Sequence, residues 1–360
     1  MRLRVTALIL ALALLLALAA CGSPVKYGEG VETYQFTDSA GRRVELPRDI
    51  TRVAPSGQVA TMLLSILCPE YMVCVSGTPS SSQYKYLPEN LLNLPTTGQL
   101  YGSKSTINLE SLIDAAPQII IDLGDRKDSI ASDMDSLQKT TGIATVFVEA
   151  DLNHMSAAYR TLGELFDLRA RAETLADFID ETMSMAAGNS AKLADGDVKT
   201  VMFTSGTSGL NTNASGSVQA QVLDILNIKN AVVVEDISNA GGGNTIDMEQ
   251  LYNFAPEIII FAPASIYGKV ADMAAWAQLP AIKTGDYYEI PGLPYNWMSG
   301  PPSVNMILGV WWLGNLVYPA LYDYDMVEVA QKIYRLFWGY ELTGDEARAM
   351  LANSTLKDLQ

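Results

Sequence analysis

Histidine is nearly missing from this chain: 360 residues contain one, His154, together with only three cysteines. A resident transition-metal centre needs several imidazole, thiolate or carboxylate ligands converging on one point. One histidine and no C-x-x-C therefore give no metal-ligand cluster, and His154, at the start of a helical pattern, reads as a surface residue. Three cysteines are too few for a disulfide framework. Cationic side chains are also scarce, with 24 Lys and Arg against 40 Asp and Glu and a formal net charge of −16. Nucleic acid binding needs clustered Lys and Arg to displace counterions, and no basic stripe is present, so nucleic acid is excluded as a partner. What the chain has in quantity is hydrophobic side chains, 49% of the total, at a length that suits two domains of ordinary size.

One stretch is written twice. Ile107 to Ile121 reads I-N-L-E-S-L-I-D-A-A-P-Q-I-I-I, and Ile246 to Ile260 reads I-D-M-E-Q-L-Y-N-F-A-P-E-I-I-I, identical at eight of fifteen positions. Such a repeat implies duplicated units, hence two similar lobes. In each copy Asn108 or Asp247 reads as the N-cap of a short helix. Pro117 or Pro256 ends that helix and pushes the residue before it to extended geometry. The isoleucine run that follows reads as a strand buried on both faces. Glu110 and Glu249 fall in the first helical turn, where the helix dipole favours a carboxylate by about 0.3–1 kcal/mol.

In chain order, Arg2 and Arg4 precede an apolar run, Val5 to Ala20, that is short for a membrane span and built like a signal-peptide core. It ends L-A-A-C at Leu18 to Cys21, which resembles the lipobox of bacterial lipoproteins and marks Cys21 as the lipidated residue. Residues 22–32 read as a flexible tether. Tyr34 to Pro47 alternates around Ser39-Ala40-Gly41 as a hairpin. Strand Arg52 to Pro55, helix Gln58 to Leu67, a strand near Met72 to Ser76, the first repeat copy, a helix near Ser129 to Thr140 and strand Ala144 to Glu149 follow. Alternation of this kind indicates a parallel sheet with helices on both faces. Cys68 and Cys74 flank a short turn, as a disulfide or as two buried thiols. Asn153 to Leu193 is helical throughout, broken near Asp167, and its later part is long enough to join two lobes. The pattern then restarts: strand Val198 to Thr204, helix Val218 to Leu226, strand Ala231 to Val234, the second copy, a helix near Ile266 to Trp276 and strand Tyr287 to Ile290. Helices Val304 to Val317 and Met326 to Trp338 close the chain before a polar tail.

Five segments in this order resemble the substrate-binding lipoproteins of ABC importers for ferric siderophores, haem and cobalamin: T-D-S-A-G-R-R-V-E-L-P at 37–47, the N-L-E…P-Q-I-I-I copy, W-A-Q-L-P-A-I-K at 276–283, P-P-S-V-N…L-G-V-W-W-L-G-N-L-V-Y-P at 301–319, and K-I-Y-R-L-F-W-G-Y-E-L-T at 332–343. The resemblance spans nearly all of 33–350. It implies an α/β fold of two Rossmann-like lobes with parallel sheets, bridged by one long rigid α-helix (the helical-backbone, class III arrangement): an N-terminal lobe at 33–165, the bridge at 166–195, a C-terminal lobe at 196–350 and a tail at 351–360. It also implies a non-enzymatic receptor, outside the cytoplasm and lipid-anchored to the cell membrane, acting as a monomer. Such a receptor delivers an iron chelate, haem or cobalamin to a permease with its cytoplasmic ATPase. In this family one glutamate on each lobe forms salt bridges with permease arginines, and Glu110 and Glu249 occupy those places.

Ligand contacts in such a fold lie on loops at strand ends, here Ser56, Gly57, Tyr84, Tyr86, Tyr101, Arg126, Ser208, Asn211, Tyr267 and Trp297. Tyrosine and tryptophan walls suit a large chelate or macrocycle. Many iron-transport members carry Arg before P-P-S; Gly300 stands there instead, which disfavours an anionic ferric catecholate. No cofactor and no protein-bound metal are expected. An extracellular hydrolase is the competing class, but Gly206-Thr207-Ser208-Gly209 lacks the spacing of a nucleophile turn and His154 lies upstream of it. Gly102-Ser103-Lys104-Ser105-Thr106 lacks the glycine before lysine that a phosphate loop requires.

Overall fold

The computed structural model describes residues 25, 27–100 and 105–356; Cys21 and Tyr101 lie outside them. Strands β1 (Thr33–Thr37) and β2 (Arg43–Pro47) pair antiparallel as the alternation predicts. Next come β3 (Val53–Pro55), helix Gln58–Leu67, the first-copy helix Leu109–Asp114, β4 (Ile119–Gly124), helix Ile130–Thr141 and β5 (Ala144–Glu149). The expected strand at 72–76 is reduced to single parallel bridges, Met72 to Val53 and Val75 to Thr96. Even so, the first lobe has the spatial order 72, β3, β4, β5, all parallel.

The second lobe repeats that order. Strand β6 (Thr200–Thr204) is followed by β7 (Asn211–Thr212), helix Gln221–Ile225, β8 (Lys229–Asn230) and β9 (Asn244–Thr245). The second-copy helix Met248–Phe254 leads to β10 (Ile258–Phe261), then helix Pro280–Thr284 and β11 (Tyr287–Glu289). The sheet runs β8, β6, β10, β11, again parallel, while β7 and β9 form a separate antiparallel ribbon. Ile119 pairs with Val53 as Ile258 pairs with Val201. The duplication read from fifteen residues thus extends to strand order and register.

Both repeat helices are capped as expected. Asn108 accepts from Ser111 N at 3.1 Å, and Asp247 forms a capping box with Gln250. The geometry before each proline differs from expectation. Ala116 and Ala255 have φ of 49° and 42°, left-handed rather than extended. A single left-handed residue turns the chain from the helix into a strand running back beside it, and that reversal outweighs the steric preference of the pre-proline position.

Other departures are local. The segment read as strand 231–234 leaves the sheet after Asn230, and the segment read as helix 266–276 forms only short 3-10 turns, Tyr267–Asp272 and Trp276–Gln278. Helix Gly344–Leu351 forms just before the expected tail, where the sequence reading has no element, stabilised by a Thr343/Glu346 capping box. Cys68 and Cys74 are both buried and unbonded, and burial raises both thiols, Cys74 to about 11.

The long helical region splits at Asp167, φ 56°, into Met155–Leu165 and the bridge Arg169–Ser190. At 1.5 Å per residue its 22 residues extend about 33 Å. Arg160 holds the two helices together through Glu173, Asp177 and Asp180 at 2.9, 3.1 and 2.8 Å. Helix Asn305–Val317 packs on the bridge, where Trp311 stacks on Phe178 and donates to Thr182 at 2.9 Å.

The chain then crosses back. Helix Met326–Trp338 packs against Gln58–Leu67 of the first lobe. Arg171 on the bridge donates to the Leu336 carbonyl, and Lys85 pairs with Glu346 at 3.0 Å. Helix Met326–Trp338, in the segment assigned to the second lobe, therefore also contacts the first, while Asn353 and Ser354 bond Glu289 of the second. One continuous hydrophobic core runs through the first lobe, the bridge, the last two helices and the near face of the second sheet. A smaller core around Ile259, Phe261 and Trp276 fills the far face.

Candidate functional site

In each lobe the chain moves from the first strand to a neighbour on one side, then to a neighbour on the other, creating a switch point between β3 and β4 and between β6 and β10. Crevices outside the carboxyl ends of strands at such points are where α/β sheets bind ligands. A cavity of about 400 Å³ opens at the first of them. The first lobe contributes Ser56 to Ala60, Gln99, Asp122 to Asp125, Lys127 and Ala150; Gln219, Asn239, Gly241 and Ser299 to Pro302 face them from the other side. A smaller cavity of about 180 Å³, sharing Gln58, Gly300 and Pro301, extends it toward Gln83 and Tyr295.

The floor is a buried polar pair. Ser56 follows β3, Asp122 lies near the end of β4, and the serine hydroxyl donates to the carboxylate. Burial pushes the Asp122 carboxyl up to about 6, with the Ser56 hydrogen bond and Lys127 opposing. Asp125 is raised by burial and by the charges of Asp151 and Glu149. Beside the floor, helix Gln58–Leu67 begins on Gly57 with no side-chain cap and no acid in its first turn, so its free N–H groups and positive dipole end meet the cavity. Opposite, Gln219 is 4% exposed, donates from Nε2 to Asn239 O at 3.0 Å, and has no partner for Oε1 among the described residues.

Of the described residues expected to contact ligand, only Ser56 and Gly57 line this cavity. Tyr84 is exposed in a short turn, and Tyr86 is buried with its ring 5.6 and 5.0 Å from those of Tyr334 and Tyr340, fixing the returning helices. Arg126 is exposed between two lining residues without lining the cavity itself. Ser208 is exposed and accepts from Leu210 N, while Asn211 bonds Thr245 within the small ribbon. Tyr267 packs on Phe261 and Tyr287 in the far core. Trp297 is fully buried and donates to Leu293 O at 3.3 Å. Tyr86 and Trp297 went to the principal core and Tyr267 packs beside the far one, because apolar area is best removed from water there. Sequence reasoning missed Asp122, Gln99, Gln219 and Asn239. For Asp122 the signal was present: a charged residue closing the buried I-I-I run, where the second copy has Phe261.

Glu110 and Glu249 are exposed in the first turns of their helices and form no ion pair among the described residues. Glu149, the last residue of β5, and Asp151 and His154 just beyond it bring potential ligand atoms within 4.8 Å of one another; the sequence reading found no such grouping. His154 Nδ1 is engaged by Asp151 at 2.9 Å, which raises its pKa. No helix among the described residues is long and apolar enough to cross a membrane.

No curated protein matches the sequence. Solved structures do match. An ABC transporter solute binding protein from Sulfurospirillum deleyianum superposes with a TM-score of 0.80 at 24% identity, covering 88% of this chain and 99% of that one. A periplasmic solute binding protein from Veillonella parvula gives 0.73 at 22%, covering 90% and 98%. The molybdate periplasmic binding protein MolA from Haemophilus influenzae, bound to molybdate, gives 0.66 at 16%, covering 86% and 99%. These likenesses establish the fold. The sequence itself matches a family model described as periplasmic binding protein over residues 53–293, which takes in both repeat copies, both sheets and the bridge, and the chain belongs to the periplasmic binding protein family.

Proposed function

We propose that this chain is the solute receptor of an ABC importer, anchored outside the cytoplasm by lipid on Cys21 and acting as a monomer. It captures a compact anion that retains a proton or hydroxyl group, and releases it unchanged to the permease and its ATPase. The observation that carries this reading is the cavity at the first switch point, where an uncapped helix start and two buried acceptors face the same space. First-turn N–H groups and the helix dipole favour anionic oxygens. Asp122 and Gln219 Oε1 favour a hydrogen-bond donor. A partly protonated oxyanion or a small hydroxycarboxylate satisfies both demands, and MolA, with the same fold, holds an oxyanion.

An iron chelate, haem or cobalamin would draw on broad aromatic walls, and among the described residues no aromatic side chain lines the main cavity. The test is calorimetric titration of the purified full chain with molybdate, phosphate, sulfate, citrate and lactate, alongside haem, cobalamin and ferric siderophores. Saturable binding of one compact anion, weakened at least tenfold by Asp122→Asn, is expected. Binding of a chelate or macrocycle with silence from every anion would overturn the assignment. Glu110 and Glu249 serve as the two docking points for the permease, as symmetric charges that orient a partner and speed its encounter.

A further inference from the structure

Six large hydrophobic side chains are exposed among the described residues: Val31, Tyr84, Ile113, Val233, Ile237 and Tyr252. Singly, such residues are ordinary. Two of them, however, occupy the same place in the repeat, since Ile113 stands in the first copy where Tyr252 stands in the second. They are 46% and 42% exposed. Each follows its exposed glutamate by three residues, a spacing that puts both side chains on one face of a helix, about 5–6 Å apart at Cβ. The two copies have diverged here from one amino acid to another, yet both keep a large apolar side chain in water beside an unpaired carboxylate.

We infer that each docking point is a pair, a carboxylate with an apolar anchor, Glu110 with Ile113 and Glu249 with Tyr252, and that the permease presents a basic group next to an apolar surface at two equivalent places. The inference rests on the docking reading above and deepens it. The occupant follows from charge complementarity: two carboxylates without ion-pair partners among the described residues, on a chain of net charge −16, call for cations. Charges at the rim of an interface chiefly set the association rate, whereas desolvated aromatic and aliphatic anchors set the dissociation rate. The Tyr252 hydroxyl donates to Ala275 O at 2.7 Å, which holds the ring in place before any partner arrives and so lowers the ordering cost of binding.

The two helices also sit alike at the strand ends. A helix that crosses between parallel strands runs opposite to them, so its first turn lies at the carboxyl end of the strand it feeds. Both pairs therefore flank the end of the molecule where the cleft opens.

The experiment is surface plasmon resonance of the full chain on its cognate permease–ATPase complex in nanodiscs, at several salt concentrations. Ile113→Ser and Tyr252→Ser should each raise Kd at least tenfold through faster dissociation, with the salt dependence kept. Tyr252→Phe, which keeps the ring but loses its tie to Ala275 O, should raise Kd less than Tyr252→Ser does. Glu110→Gln and Glu249→Gln should slow association and flatten the salt dependence. Serine variants within twofold of the parent, with the glutamine variants impaired, would overturn the anchors and leave the docking reading intact. If both sets behaved like the parent, the docking reading would fall with them. Unchanged near-ultraviolet circular dichroism establishes that each variant is folded.

Discussion

Asp122 concentrates the chemistry of the cleft in one side chain. Its carboxyl titrates near 6 in the folded chain because burial disfavours the charge, whereas an unfolded aspartate titrates near 4. Between those values the folded state keeps a proton that the unfolded state has lost, so stability falls as pH rises through that window, by roughly 3 kcal/mol. Asp122→Asn removes the ionisable group. The unliganded variant should melt a few degrees higher than the parent at pH 7.5 and equal to it near pH 4, which thermal unfolding across pH would check. The same change should weaken anion binding by about 1.5–3 kcal/mol, the usual worth of a hydrogen bond to a charged group. At this scale the sequence was legible where a residue broke its local pattern, as Asp122 does at the end of three isoleucines. It was illegible for Tyr86 and Trp297, because an aromatic residue in a loop reads alike whether its loop faces a cleft or a packed helix layer.

The repeat helices are short, six and seven residues, and their stability comes from their ends. Each stops on an alanine in left-handed geometry, which costs an L-residue roughly 1–2 kcal/mol, and glycine there avoids that strain at an entropic cost of about 0.5–1 kcal/mol. Ala116→Gly and Ala255→Gly should each stabilise the chain by up to about 1 kcal/mol, seen as a higher denaturant midpoint at unchanged slope. A loss of stability instead would mean the pre-proline residue is extended after all. Long periodic elements were read to within a residue or two, among them Gln58–Leu67, Ala144–Glu149 and Met326–Trp338. The short elements of the second lobe were not, since 3-10 turns such as Tyr267–Asp272 follow a chain packing onto a core rather than a period of their own. Helix Gly344–Leu351 had a readable start in T-G-D-E at Thr343 to Glu346, a capping box.

At the scale of the molecule, duplication dictates two lobes and the helical layer makes them one body. The principal core passes through the bridge into both sheets, so calorimetry of the full chain should give a single cooperative transition with van't Hoff and measured enthalpies equal; two resolved transitions would contradict that continuity. Replacing Glu110 and Glu249 together by glutamine should abolish uptake into cells while calorimetric ligand affinity stays within twofold, since neither residue lines the cleft. The fifteen-residue repeat announced the two lobes. The contact of helix Met326–Trp338 with the first lobe was hidden, because the apolar stripe of an amphipathic helix says that it will be covered without saying by what.

The stretch from Thr97 to Leu100 joins two places that have so far been treated apart. Leu100 N bonds Ser56 O at 2.8 Å on the floor of the cleft, and Asn108 N, at the cap of the first docking helix, bonds Thr97 O at 2.7 Å. Gly98 between them approaches Thr106 so closely that any Cβ would lie 2.1 Å from its carbonyl oxygen. On the proposed reading, cargo and transporter hold the receptor at the two ends of this one hydrogen-bonded stretch. Whatever factor separates the permease's grip on the full and the empty receptor is, by thermodynamic reciprocity, the factor by which docking alters the hold on the cargo. A permease that loosens the cargo on contact must therefore cling more tightly to the spent receptor than to the loaded one, and the free energy that frees the spent receptor has to enter on the transporter's side.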